Sequence, residues 1–588
     1  MMKNTNKFGA FVAMFATAVM VVSSAYAFSG KRDYSYDGDG VSTNYLSIGG
    51  DDGAVGQWGL LRIKYGTVFD PGDIVAGRGT NSNAGIILEK GNLKLRTLCS
   101  WGSYLHLRSY GGSINSSSYQ KTNADITSDV LPDDFVVAGD SGNTNSMYNH
   151  RGPFNIAVLD NARLHIGWHY DTYPGYGKHI ALNGGILTME VYAGGLTNIF
   201  RSFDGGMLEV DDNQSRPAQM YGNSAGAGWF RVYEGGGGMI ENSGHGHEVI
   251  IPNLLAPVGG VIASIEVPDR VKAIAWPRGI PQVYVTDSTG SNAMAVVDYD
   301  YDNDRVTNIT VLCGGENYSE GATANFRYKA GDALLDEPIP CTIRYGCKGG
   351  SFTFASRKRA NNSFRAYSCT NTYSGATIVD MDQDRLYEHG AQDFPGNPWF
   401  RELLIYPNTT PPPRFLESTN VTIKSGCFYL NGASTRFKDV FPKCSSFDFY
   451  GGHLGRVSAT VGRVTIGGEC WFRSLDSTGY TSDVTVDGTV EVDFGAVATN
   501  GVTVVPAIKF GDFAFASGAK ILVKDWTRLP RGKRTLVLDL SGTRFTTQDN
   551  ATFAQSDEGI LSWGTGSEEE EKKLYARRYA DGMFLIFK

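Results

Sequence analysis

Charge is scarce in this chain, and so are the short patterns that usually carry chemistry. Charged residues make up 19% of 588, and the balance is 53 − 61 = −8. No basic stripe is available to neutralise phosphates, which argues against a nucleic-acid partner. The eight cysteines, at 99, 313, 341, 347, 369, 427, 444 and 470, include no C-x-x-C pair, so a zinc site lacks its usual ligand spacing. Glycine never falls into a G-X-Y period, which excludes collagen. No P-loop, nucleotide fingerprint or Ser or Cys triad is found, because the glycine pairs sit between strand halves and not before helices. Long apolar runs are also missing beyond the N-terminus, so no transmembrane segment is expected after signal cleavage.

What the chain does contain is glycine and aromatic residues. Glycine is 73 of 588, roughly 12% against about 7% in average usage. Aromatics are 12%, which argues against disorder and for many short strands. The glycines are organised by a recurring cassette, Φ-x-Φ-x-x-G-x-Φ-x-Φ with Φ apolar. One copy is Ile86, Leu88, Gly91, Leu93, Leu95; another is Ile180, Leu182, Gly185, Leu187, Met189; a third is Val421, Ile423, Gly426, Phe428, Leu430. Two short strands at period 2, hinged at a glycine, cannot bury their apolar faces alone and must stack on copies of themselves. The expected fold is therefore all-β: a parallel β-helix, a solenoid whose core grows along one axis and so escapes the size limit of a globular domain.

The N-terminus carries an export signal. Lys3 and Lys7 precede an apolar stretch from Phe8 to Val22, followed by Ala25-Tyr26-Ala27. This is a basic region, a hydrophobic region and an A-x-A cleavage site, which predicts residues 1–27 as a signal peptide and a mature start at Phe28. The competing reading, an uncleaved anchor, needs a longer stretch than this one. Export permits disulfides, and one or two bridges are expected in the 313–369 region.

The cassette divides the mature chain. It runs through 28–259, with Arg201 in the first apolar slot of the copy around Gly206. It is lost over 260–347, where strands without it predict an inserted β module. It resumes over 348–527, with Arg456 in the last slot of the copy around Gly452 and a shorter variant around Gly468 and Gly488. Residues 528–588 read as a β cap, with the acidic run Glu568 to Glu571 as a solvated turn.

Three sets of side chains are candidates for chemistry or contact. Asp298, Asp300, Asp302 and Asp304, and Asp380, Asp382 and Asp384 with Glu388, have a D-x-D spacing that can deliver carboxylate oxygens to calcium. The same spacing describes one wet face of a strand. Trp168, Tyr170, Tyr173 and Tyr176 cluster between two coils, where aromatic platforms stack on sugar rings or cap the core. The segment Ser243-Gly244-His245-Gly246-His247-Glu248 resembles the S-G-H-G element of polygalacturonases, which are themselves right-handed parallel β-helices, and the resemblance implies a right-handed parallel β-helix, a pectin-lyase-like solenoid, here. That resemblance implies a catalytic role for His245 with Asp211 and Asp212. Here no N-T-D element is found, and Arg62-Ile63-Lys64 precedes the histidine where that family's R-I-K follows it. The bland reading is a polar, glycine-containing corner.

Asn371-Thr372-Tyr373-Ser374-Gly375-Ala376-Thr377-Ile378 resembles the N-T-Y-[ST]-G-x-T-x-[IV] signature of the autotransporter-associated β-strand repeat, found in secreted and surface β-helical passenger proteins of Gram-negative bacteria. The resemblance implies architecture and export and brings no catalytic residues. It is to a passenger, since the last third shows cassettes and a short cap where a translocator barrel has long alternating strands. The 260–347 region resembles a small repeat of bacterial secreted proteins, through Gly290 to Val296, Ile309 to Val311 and Gly315-Glu316-Asn317-Tyr318. Asn317 stands where that repeat has a second glycine, and asparagine also tolerates the left-handed region. The expected function is a non-catalytic exported surface or extracellular protein, placed at the cell surface or outer membrane with the periplasm as a further location. It would serve adhesion, contact with a polysaccharide or cell-surface glycan, or spacing. The alternative is a carbohydrate-active β-helix enzyme, a polysaccharide lyase or a hydrolase.

Overall fold

A computed structural model describes the chain with side chains over residues 179–187, 200–210, 230–241, 249–273, 283–300, 303, 305–326, 338–356, 364–381, 402–431, 436–472, 481–494, 505–544 and 551–580 apart from 555; between 33 and 178 it describes strand backbone alone. The third cassette shows why these sequences form paired strands. Val421 and Ile423 on Asn420–Ser425, and Phe428 and Leu430 on Cys427–Leu430, are fully buried. Gly426, at φ 76°, turns the chain between the two strands. Alternation sends one side of each strand inward, and a glycine supplies the turn at no steric cost.

The fold is all-β with extensive parallel pairing, as expected, and the chain divides into two compact units: Met1–Met207 with Val258–Cys347, and Leu208–Pro257 with Lys348–Lys588. In the first, Asn83–Leu88, Tyr104–Ser109, Phe154–Leu159, Lys178–Asn183 and Ile199–Phe203 form one parallel ladder. Gly91–Ser100, Phe135–Ala138, Arg163–Ile166 and Ile186–Met189 form another. Arg201 does take an interior place, 2% exposed, and burial pushes its guanidinium down to about 9.

Residues 258–347 pair differently. Gly260–Ile265, Ile339–Tyr345, Thr323–Arg327 and Gln282–Thr286 form an antiparallel sheet, and Ser291–Asp300 pairs antiparallel with Arg305–Glu316. Their core gathers Ile262, Val271, Val306, Ala324 and Phe326 around Tyr318. The ring of Tyr318 lies against Gly290 and Gly315, where an added Cβ would sit 2.2 and 2.5 Å from it. Its hydroxyl accepts the Ala293 N–H at 3.1 Å. Asn317 stands at φ 59°, in the left-handed region.

In the second unit the chain alternates between two parallel ladders from Asn420 onward. One contains Gly237–Glu241, Phe352–Ser356, Ala376–Met381, Asn420–Ser425, Ser446–Phe449, Ser458–Ile466, Asp483–Asp493 and Lys520–Lys524. The other contains Ser363–Ala366, Glu402–Ile405, Cys427–Leu430, His453–Gly455, Glu469–Trp471 and Ala507–Lys509. Antiparallel strands end it: Arg534–Asp539, Lys573–Arg578 and Gly559–Trp563. The acidic run is a single helical turn, Glu568–Glu571, capped by the Ser567 hydroxyl.

The expected disulfides in the 313–369 region are not formed, since Cys313, Cys341, Cys347 and Cys369 are all free thiols. Cys341 packs as a small apolar residue in the core of 258–347. Cys369 is buried and accepts a hydrogen bond from the Asn371 amide at 3.3 Å. Burial pushes these two thiols up, to about 11 and about 12.

Candidate binding face

Most of the side chains singled out from sequence lie outside the described residues: Asp211, Asp212, His245, Trp168, Tyr173, Tyr176, Asp302, Asp304, Asp382, Asp384 and Glu388. Tyr170 belongs to His169–Asp171, described by its backbone. The others are engaged locally. Asp298 accepts from the Thr310 hydroxyl at 2.7 Å, and Asp300 accepts from the Asn303 amide at 2.7 Å in the turn that follows. Asp380 faces Lys424 at 3.6 Å and Ser425 at 3.3 Å. Among the described residues, no three His, Cys, Asp or Glu side chains converge as metal ligands.

Chemically suggestive side chains instead meet on the ladder from Ser363–Ala366 to Ala507–Lys509. Phe364, Leu403, Phe428 and Leu454 fill the interior face, each fully buried. Period 2 then places the intervening residues on the opposite face. Register lines up Glu402, Cys427, His453, Trp471 and Lys509 in one row, and Arg365, Leu404, Tyr429 and Gly455 in the next.

The large side chains of this face form two stacks. At one end Tyr367 and Tyr406 lie 4.6 Å apart and nearly parallel, with the Arg365 guanidinium 5.7 Å from the Tyr406 centroid. Arg365 also donates to the Tyr367 hydroxyl at 3.1 Å. Tyr406 packs against Leu404, Cys427 and Tyr429. Tyr429 lies across Gly455, where a Cβ would meet its Cδ2 at 2.4 Å, and Arg456 sits over the ring at 5.4 Å. At the other end His453 lies 6.0 Å from Trp471, which stacks on Phe510 at 5.2 Å. Such ring pairs add about 0.5–1.5 kcal/mol beyond the area they bury.

Two residues here hold an unusual backbone. Arg456 stands at φ 54° and Phe510 at φ 58°, both directly after a strand of this ladder. A non-glycine residue in the left-handed region loses roughly 1–2 kcal/mol, and such strain gathers at functional sites. Phe510 is nevertheless 41% exposed. Hydrophobic burial therefore does not explain why it is held there.

The polar groups of this face include one ion pair. Lys509 meets Asp539 at 3.2 Å. Burial pushes the Asp539 carboxyl up, but hydrogen bonds from Ser541 and the charge of Lys509 outweigh it and hold the group below its ordinary value. Cys427, between Glu402 and His453 in register, has the neighbours of a thiol nucleophile. Burial, then the charges of Glu402 and Cys470, drive its thiol well above the ordinary value. It stays protonated at neutral pH and supplies no thiolate.

Two further constellations invite chemistry. In the first unit His179 Nε2 lies 2.9 Å from the Ser202 hydroxyl, but the two residues are only 6% and 1% exposed. Burial drives that imidazole down to about 3. On the other ladder of the second unit, Asp448, Thr465 and Glu491 stand in register. Asp448 faces Arg463 at 3.5 Å and accepts from Asn420 at 2.6 Å, while Glu491 faces Lys524 at 2.5 Å.

What the aromatic face can do is stack on apolar ring faces while guanidinium, ammonium and carboxylate groups meet hydroxyls. The sequence reading passed over it, and placed Arg456 in an interior slot of the cassette. Its side chain instead lies over Tyr429, because the left-handed turn after Gly455 ends the alternation. The available signal was Tyr367, Tyr406 and Phe510, each directly following a strand.

No family model and no curated protein matches this chain. Among the described residues, no helix is long and apolar enough to cross a membrane.

Proposed function

We propose that this is an exported, right-handed parallel β-helical protein that works by binding, with a glycan as its ligand and Phe510, Trp471, Tyr406 and Tyr367 as its contact surface. The architecture is supported by the alternation of successive strands between two parallel ladders. Export is supported by the basic, apolar and A-x-A segments of the first 27 residues. Both support a surface or extracellular role in adhesion. The single observation that carries the ligand class is Phe510, a ring exposed and stacked on Trp471 at the expense of backbone strain. Sugars present apolar faces to such rings and hydroxyls to the charged groups beside them.

The test is a glycan and polysaccharide panel on the chain from Phe28, with calcium and with chelator, scoring binding and product release separately. Binding without release, weakened by Phe510→Ala, is expected. Release of oligosaccharide that survives Phe510→Ala and disappears on Glu491→Gln or His245→Ala would overturn the reading in favour of a carbohydrate-active enzyme.

A further inference from the structure

We infer that the ligand of this face is an extended, uncharged polysaccharide lying across the strands along the ladder, and not a short or acidic sugar. The inference rests on the glycan reading above and adds length and charge to it.

Length follows from the spacing of the two stacks. Tyr367 follows Ser363–Ala366 and Phe510 follows Ala507–Lys509. The intervening strands are Glu402–Ile405, Cys427–Leu430, His453–Gly455 and Glu469–Trp471. At about 4.8 Å per strand spacing, five spacings put the outermost rings, Tyr367 and Phe510, roughly 24 Å apart, and three put the facing members of the two stacks, Tyr406 and Trp471, roughly 14 Å apart. A disaccharide reaches one stack only. Among the described residues the path between them is continuous: Tyr406 packs on Tyr429, Arg456 covers Tyr429, and His453 leads to Trp471. A chain bound at both ends gains the second contact as an intramolecular event.

Charge follows from the polar residues of the same face. Arg365, Arg456 and Lys509 are matched by Glu402, Glu469 and Asp539, and Lys509 is already paired with Asp539. The balance leaves no field to draw a polyanion. Donors and acceptors of both signs suit a hydroxylated neutral chain. A protein partner is disfavoured because Leu404, Cys427 and Tyr429 are buried, and among the described residues of these six strands and the positions directly after them Phe510 is the one large apolar side chain exposed. A contiguous apolar patch of the kind that docks proteins is therefore missing from the described residues of this face.

The experiment is calorimetric titration of the chain from Phe28 with length series, disaccharide to decasaccharide, of neutral glucan, mannan and galactan, beside polygalacturonate oligomers of the same lengths. At least one neutral series is expected to tighten with length and then level off once the chain spans both stacks. Its affinity should be insensitive to salt. Phe510→Ala and Tyr367→Leu are each expected to weaken the longest oligomer by about five- to tenfold and to flatten the length dependence, with unchanged circular dichroism. The length series on the unaltered protein stands even where a variant fails to fold. Equal affinity for disaccharide and decasaccharide would overturn the inference while leaving glycan binding intact. So would preference for the acidic series with loss in salt. Capture of a protein ligand by this face with no response to any sugar would overturn both readings.

Discussion

Phe510 lies on Trp471 with ring centroids 5.2 Å apart while its own backbone stands at φ 58°. The stack and the strain oppose each other. Truncation to alanine removes the stack and keeps the strain, whereas truncation to glycine removes both. The left-handed region costs a non-glycine residue roughly 1–2 kcal/mol, so Phe510→Gly is expected to be about 1 kcal/mol more stable than Phe510→Ala. That reverses the usual order of the two residues. Chemical denaturation of the pair measures it directly, and alanine at least as stable as glycine would remove the case for strain at this corner. Both variants are expected to weaken glycan binding to a similar extent.

A second prediction concerns the N-T-Y-S-G segment. Asn371 is 1% exposed, and its side-chain oxygen accepts the Leu254 N–H at 2.9 Å. Thr372 accepts from Ala256 at 2.8 Å, and Ser374 donates to the Gly349 carbonyl at 2.7 Å. Tyr373, Thr377 and Ser418 form a buried hydroxyl chain with links of 2.8 and 2.9 Å. The segment thus joins stretches of chain more than one strand away. Asn371→Ala leaves a buried backbone N–H without an acceptor and is expected to cost about 1–3 kcal/mol. Asn253 makes a comparable bond to the Thr370 N–H, but in an exposed setting, where water replaces the lost partner. Asn253→Ala is expected to cost well under about 1 kcal/mol. Equal losses in urea midpoint would mean that burial does not govern the motif.

The hinge glycines give a third. A Cβ on Gly468 would lie 1.9 Å from the Tyr450 carbonyl oxygen, a backbone atom held in the neighbouring strand turn. Gly468→Ala must displace that backbone and is expected to cost about 1–3 kcal/mol or more. Gly462 has no atom closer than 3.7 Å to the same added carbon. Gly462→Ala is expected to be neutral or stabilising by about 0.4–1 kcal/mol. Thermal unfolding of the two variants separates a hinge required by close approach from a glycine that is merely present.

The contrast between those glycines marks how far the sequence could be read. The cassette located Val421, Ile423, Phe428 and Leu430 because inward positions must be apolar and must alternate, a rule each strand obeys by itself. The outward face obeys no such rule. Tyr367, Tyr406, Trp471 and Phe510 become neighbours only because successive strands pair in register, and each return loop has its own length. Arg456 was misplaced for a local reason, since one left-handed residue after Gly455 breaks the alternation that had placed Leu454. The cysteines failed differently. Spacing along the chain carries no information on whether two thiols face each other, and Cys341 and Cys369 serve as buried apolar residues.

The last prediction is acid sensitivity within residues 258–347, set by Asp287. Its carboxylate accepts from the Ser319 hydroxyl at 2.5 Å and backbone N–H at 3.2 Å, from Gly290 N–H at 2.7 Å, and from Thr289 N–H and hydroxyl at 3.2 and 3.0 Å. The Ser319 hydroxyl bond leads in holding the carboxyl far below its ordinary value, with the backbone donors adding to it against a smaller opposing effect of burial. These bonds tie the turn after Gln282–Thr286 to Ser319, the residue after Tyr318; burial pushes the Tyr318 hydroxyl up to about 12. A carboxyl with a depressed folded-state value contributes its full stability above the unfolded value of about 3.9 and loses it as pH falls further. Amide exchange protection at Gly290 and Ser319 is therefore expected to be flat from about pH 7 to pH 5 and to decline below about pH 4. Asp287→Asn is expected to lower protection at neutral pH and to flatten this acid dependence, and Ser319→Ala to shift its midpoint upward. An Asp287→Asn variant with an unchanged acid slope would assign the sensitivity to another carboxylate of the module.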